Sequence, residues 1–133
     1  MVIESQKVEV KAPSEEVFTF LSNAHNIEEL LPADNIKDFQ ATDTQCSFKV
    51  QGGITITLVQ DSLVPNSEIK MVSGEKSPFP FKLTIHMGED ATKQTIGYIL
   101  FDGEVNPFLK MMVQKPLTNL FNYMSQKIKE KYE

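Results

Sequence analysis

Apolar and polar residues alternate with a period of two along most of this chain and change to a helical period near its end. Val2, Val8 and Val10 share one parity, with Lys7, Glu9 and Lys11 on the other, so Val2 to Lys11 reads as a strand closed by Ala12-Pro13. Ser14 is a suitable N-cap, and Glu15 and Glu16 favour the positive end of a helix dipole. Val17, Phe18, Phe20 and Leu21 then predict a short amphipathic helix, broken at Ser22-Asn23. A second short helix with Ile27, Leu30 and Leu31 ends at Pro32.

The middle of the chain predicts a run of strands. Ile36 to Ala41 turns at Thr42–Thr44, and Cys46, Phe48 and Val50 then share a face. Gly52-Gly53 is a hairpin signal leading to Ile54, Ile56 and Leu58. Turns are expected at Pro65-Asn66-Ser67, Gly74–Pro78 and Gly88-Glu89-Asp90. Between them lie Ile69 with Met71, then the stripe Phe79, Phe81, Leu83, Ile85 and Met87. Thr95 to Phe101 is apolar at both parities, the pattern of a strand covered on both faces, and Asp102-Gly103 closes the sheet region.

Asn106 then caps a long helix with Pro107 in its first turn. Leu109, Met112, Val113, Leu117, Leu120, Phe121, Met124 and Ile128 form its apolar stripe. Pro116 falls inside this helix and is expected to kink it. Short turns make the strands an antiparallel meander, and its apolar face needs the long helix as its cover. The predicted fold class is therefore α+β: a curved antiparallel sheet of about seven strands around a long C-terminal helix, with two short helices after the first strand.

Composition narrows the partners. The 133 residues fit a single domain spanning 1–133, and a chain of this size buries roughly two-thirds of its unfolded surface, enough for a core without staples. The net charge is −5 and no arginine is present, which disfavours nucleic acid as a partner. No apolar run approaches the ~18 residues of a transmembrane segment. The N-terminus lacks the continuous apolar run of a signal peptide. Cys46 is the single cysteine, so the expected location is the reducing cytoplasm.

The order strand, two helices, six strands, helix resembles the START-like superfamily, also called SRPBCC or birch-pollen-allergen-like, with its polyketide cyclase, coenzyme-Q-binding and lipid-transfer branches. The residues that carry the resemblance are Val8-Glu9-Val10-Lys11-Ala12-Pro13-Ser14-Glu15-Glu16-Val17-Phe18, then Leu21-Ser22-Asn23 and Leu31-Pro32. It implies the helix-grip fold and a cavity between the concave sheet and the C-terminal helix, of the kind that in such families holds a lipid, sterol, polyketide or quinone. This chain is shorter than lipid-transfer members and matches no family catalytic residue, and fold alone does not give function.

Candidate chemistry is sparse. His25, His86 and Cys46 show no ligand spacing, so neither metal nor cofactor is expected. His86 has the parity opposite the apolar stripe, and Cys46 has core parity. Gln60 and Ser62 continue the interior parity of Ile54, Ile56 and Leu58 and either face a ligand or are turned to solvent by a bulge. Tyr98 and Tyr123 each offer a hydroxyl, with no general base in view. Met71, Met87, Met111, Met112 and Met124 suit either a plain core or a pliable pocket.

The expected function is binding, transport or sequestration of a small hydrophobic ligand. Its expected lining is Phe48, Leu58, Gln60, Ser62, Met71, Phe81, Leu83, Tyr98, Met112, Phe121 and Met124. The alternatives are a cyclase- or dehydratase-type enzyme on such a ligand, and a protein-interaction module whose cavity has collapsed behind an exposed apolar patch. Oligomeric state is left open.

Overall fold

A computed structural model describes residues 1–50 and 53–133. The elements are β1 (Val2–Glu4), β2 (Val8–Val10), α1 (Ser14–Leu21), a 3-10 helix (Ala24–Leu30), β3 (Lys37–Ala41), β4 (Gln45–Lys49), β5 (Thr55–Val64), β6 (Glu68–Ser73), β7 (Phe81–Glu89), β8 (Thr95–Gly103) and α2 (Pro107–Lys131). The eight strands make one open antiparallel sheet in the order β1-β8-β7-β6-β5-β4-β3, and β2 also pairs with β8. The fold is the α+β helix grip expected from the element order. Among the described residues, no helix is long and apolar enough to cross a membrane.

The eighth strand arises because the expected first strand is divided. Ser5 interrupts it: its N–H donates to the Ile99 carbonyl at 2.8 Å, and its hydroxyl accepts the Ile99 N–H at 2.8 Å. A side-chain oxygen thus stands in for a backbone carbonyl, and the parity of the chain shifts across the interruption. Ile3 and Ser5 face inward before it, Val8 and Val10 after it, and Val2 is left 64% exposed. Val2 therefore does not share the face of Val8 and Val10.

Glu89, at the end of β7, serves the start of α1. Its carboxylate accepts from the Ser14 hydroxyl at 2.8 Å and the Ser14 N–H at 3.2 Å. Pro13 occupies the N-cap position and has no side-chain acceptor to offer, so the expected Ser14 cap is replaced by an acceptor from a distant strand. The strand runs through Glu89, and the expected turn at Gly88–Asp90 falls instead at Asp90–Gln94. There Asp90 accepts from Thr92 and Gln94, bonds that hold its carboxyl below the usual range. Gly52 of the expected hairpin lies outside the described residues; Gly53 has a φ of 85°, where a side chain would be strained.

The concave face carries Cys46, Phe48, Ile56, Leu58, Ile69, Met71, Phe81, Leu83, Ile85 and Met87, all buried. The buried row of α2, Val113, Leu117, Leu120, Phe121, Met124 and Ile128, lies on this face. Phe101 and Phe121 meet with ring centroids 5.2 Å apart, and Phe81 lies 5.0 Å from Phe101. Asn106 accepts the Leu109 N–H at 2.8 Å, and α2 continues unbroken through Pro116.

Candidate functional site

The expected lining residues separate into four groups. Phe48, Leu58, Met71, Phe81, Leu83, Phe121 and Met124 are gathered in one continuous core. Their side chains occupy the space between sheet and helix. Among the described residues, a void on the concave side between β2, β7, β8, α1 and α2 is about 10 Å³, roughly the size of one water-sized probe.

Gln60 and Ser62 stand apart from that core. The register shifts between them, so β5 carries a bulge there and Ser62 is exposed. The Gln60 side-chain amide donates to the Ser22 carbonyl, which ties β5 to the end of α1. Tyr98 is on the outer face. Its ring stacks on His86 with centroids 4.9 Å apart, and the Lys7 ammonium lies 5.3 Å from the ring centre. A strand apolar at both parities does not say which parity faces inward, and here Ile99 and Phe101 are the inward pair.

Met112 is also outside the core, 57% exposed, although its spacing fits the apolar stripe. The first turn and a half of α2 is largely exposed: Leu109 packs half-buried against the core, and Phe108, Lys110 and Met111 are exposed. Full burial begins at Val113. Cys46 is enclosed in the core, where burial pushes its thiol up to about 12, so it is a protonated packing group rather than a nucleophile.

A concavity of ligand size lies beside the helix rather than under it. A groove of about 390 Å³ runs between α2 and the segment that joins the 3-10 helix to β3. Pro32, Ala33, Ile36, Val50, Pro116 and Leu120 provide apolar surface, and Asp34, Asn35, Asn119 and Tyr123 provide polar atoms. Pro32 stops the 3-10 helix and turns the chain away from the core, which opens one wall. Pro116 forms part of the other wall and has no N–H to donate to the Met112 carbonyl one turn earlier.

Phe108, Met112, Pro116, Asn119 and Tyr123 follow one another at helical spacings of four, four, three and four, so they form one lateral row on α2. The row leads from the exposed first turn into the groove. Its signal was present in the sequence as a second stripe beside the core stripe, but the apolar spacing merged the two.

Another groove, about 510 Å³, lies across β3, β4 and β5 beside the Gly74–Lys76 turn. Gln40, Thr42, Gln45, Ser47, Thr57 and Lys76 dominate it, and Thr57 Oγ1 is buried with no hydrogen-bond partner among the described residues.

No family model matches the sequence, and no curated protein matches it. Solved structures do match over nearly the whole chain. A START superfamily protein from Mycobacterium smegmatis is 13% identical, with 98% of this chain and 96% of that chain covered at a TM-score of 0.70. A conserved protein from Geobacillus kaustophilus is 14% identical, with 99% and 95% covered at 0.73. The Aha1 dimer from Colwellia psychrerythraea is 14% identical, with 100% and 96% covered at 0.69. At these identities the likeness is one of fold, and the fold is START-like.

Proposed function

We propose that this protein binds a small hydrophobic ligand with a polar end, of the lipid, polyketide or quinone kind, in the groove between α2 and Pro32–Ile36. The observation that carries the reading is that groove: about 390 Å³, with apolar surface from Ile36, Val50, Pro116 and Leu120 and polar atoms contributed by both walls. Its volume is at the lower end of the 300–1,000 Å³ typical of small-molecule sites. The apolar body of the ligand rests on Ile36, Val50, Pro116 and Leu120, where leaving water drives association. Asn119 and the Tyr123 hydroxyl take its polar end. Met124 lies one helical turn from Leu120, behind the floor, and methionine adapts its shape readily, so a longer ligand reaches toward the core by displacing it.

The core residues expected to line a cavity, Phe48, Leu58, Met71, Phe81, Leu83 and Phe121, act in this reading as the support of the groove. Gln60, Ser62 and Tyr98 have no part in it. A cyclase or dehydratase would need an acid–base pair, and the described lining of the groove holds one carboxylate, Asp34, and no histidine or cysteine.

The test is native mass spectrometry of the wild type and of Ala33→Trp, with organic extraction of anything released. Ala33 is exposed at the rim, so a tryptophan there fills the groove without entering the core. The wild type is expected to carry or take up an apolar molecule such as a fatty acid or quinone, and the variant to lose it. A wild type that binds none, or a variant that binds equally, overturns the reading.

A second reading, a protein-interaction module, is favoured by the packed interior together with exposed Phe108, Met111 and Met112. It predicts a stable protein complex lost in Phe108→Ala with no bound small molecule.

A further inference from the structure

We propose that the first turn and a half of α2 docks this protein onto anionic lipid bilayers. The inference rests on the ligand reading above, because it gives an apolar ligand a route to the groove that avoids crossing water.

Three observations carry it. Phe108, Met111 and Met112 are 75%, 85% and 57% exposed, three large apolar side chains within five residues. A surface helix ordinarily keeps polar residues at such positions. They are nevertheless held in place: the Asn106 cap and Pro107 set the start of the helix, and fully buried Val113 anchors the next turn. The apolar tip is a fixed projection rather than a loose end.

Charge supplies the second observation. From Val105 to Lys129 the chain has four lysines and no acidic residue, in a protein of net charge −5. Lys110 and Lys115 lie within the projecting turns and the turn after them, both exposed, interleaved with Phe108, Met111 and Met112. Glu104, just before the helix, is the nearest acidic residue along the chain. Apolar side chains that enter the acyl boundary, flanked by ammonium groups at phosphate level, are the chemistry of an interfacial helix. A protein partner is the poorer fit. Phenylalanine and methionine suit either surface, but lysine is depleted at protein interfaces, and Lys110 and Lys115 lie among the exposed apolar side chains here.

Continuity with the groove is the third. Met112 is one helical turn before Pro116, which lines the groove. A bilayer that receives Phe108 and Met111 therefore lies at the groove's mouth.

Flotation of the full chain with phosphatidylcholine vesicles, with and without phosphatidylglycerol, tests the proposal. The wild type is expected to float with the anionic vesicles and to be released by salt. Lys110→Glu and Lys115→Glu are each expected to weaken that binding about fivefold or more, from roughly 1 kcal/mol per basic residue near the surface. Phe108→Asp with Met111→Asp is expected to abolish it. All four residues are exposed, and an unchanged circular dichroism melt certifies the fold of each variant. A wild type that ignores both vesicle types, or a Phe108→Asp/Met111→Asp variant that still floats, overturns the proposal. So does concentration-dependent self-association that the double variant loses, which assigns the tip to a second copy of the chain. Because flotation needs no bound ligand, its outcome is independent of the mass-spectrometric test of the groove.

Discussion

The hydroxyls of Ser5 and Ser125 meet at 2.8 Å, buried, and join the break between β1 and β2 to the last third of α2. Ser5 also accepts the Ile99 N–H, so one side chain links the sheet edge, the adjoining strand β8 and the helix. Without that hydroxyl, a buried amide N–H and the Ser125 hydroxyl both lose a partner. Ser5→Ala is expected to cost about 2–3 kcal/mol, against about 1 kcal/mol for Ser125→Ala. Ser125→Ala is milder because Ser5 keeps the Ile99 bond and has the Gln6 carbonyl within 3.2 Å as an acceptor. Urea denaturation midpoints measure both, and equal costs would remove the distinction.

Glu89 substitutes for the missing side-chain cap of α1. Glu89→Ala is expected to destabilise the protein by about 1 kcal/mol, as loss of a helix cap does. Glu89→Gln retains an acceptor for Ser14 and loses only the interaction of the charge with the helix dipole, so a smaller loss is expected. Thermal melts of the two variants compare them directly; a neutral Glu89→Ala would mean that water serves Ser14 equally well.

Cys46 makes stability depend on alkaline pH. Burial raises its thiol from the ordinary 9.0 to about 12. Above about pH 9 the unfolded chain releases this proton and the folded chain keeps it, so stability falls as pH rises. The loss starts near the unfolded value and is complete once the folded value is passed. Between about pH 9 and 10.5 it is on the order of 2 kcal/mol. Comparing urea midpoints of the wild type and Cys46→Ala at both pH values isolates this contribution, since other titrating groups are common to the pair. Parallel pH dependences would show that the thiol is not enclosed in solution. Thiol reagents at neutral pH are expected to label native Cys46 only as fast as the protein opens.

Pro116 interrupts the hydrogen-bond ladder of α2 without breaking the helix. Pro116→Ala restores an N–H for the Met112 carbonyl and removes an interior proline that costs up to about 3 kcal/mol relative to alanine. A higher melting temperature is expected. It is expected together with weaker retention of a groove ligand, because Pro116 forms one wall. A stabilised variant with unchanged retention would leave Pro116 without a role in binding.

Much of the fold was legible as periodicity. The parity of Phe79, Phe81, Leu83, Ile85 and Met87 placed all five in the core, because a strand that buries one face cannot slip by one residue without exposing every apolar side chain. Asn106-Pro107 marked the start of α2, and Pro32 marked where the 3-10 helix stops, because proline and cap chemistry act locally. The short turns dictated the meander from β3 to β8, which is the observed strand order.

Tertiary structure decided what periodicity cannot carry across an irregularity. The Ser5 interruption and the Gln60–Ser62 bulge each shift parity, and both depend on partners far away in sequence, Ile99 for Ser5 and Ser22 for Gln60. Tyr98 sits in a strand apolar at both parities, so only the packing of Ile99 and Phe101 against the helix side settled which face is inside. Met112 has the spacing of a core residue but belongs to the lateral row beside the core stripe, next to fully buried Val113, and a spacing does not state how wide the covered face is. The same holds for volume. The sequence determined which apolar side chains face the space between sheet and helix, while only their summed packing decided that they fill it and that the groove beside α2 lies outside them.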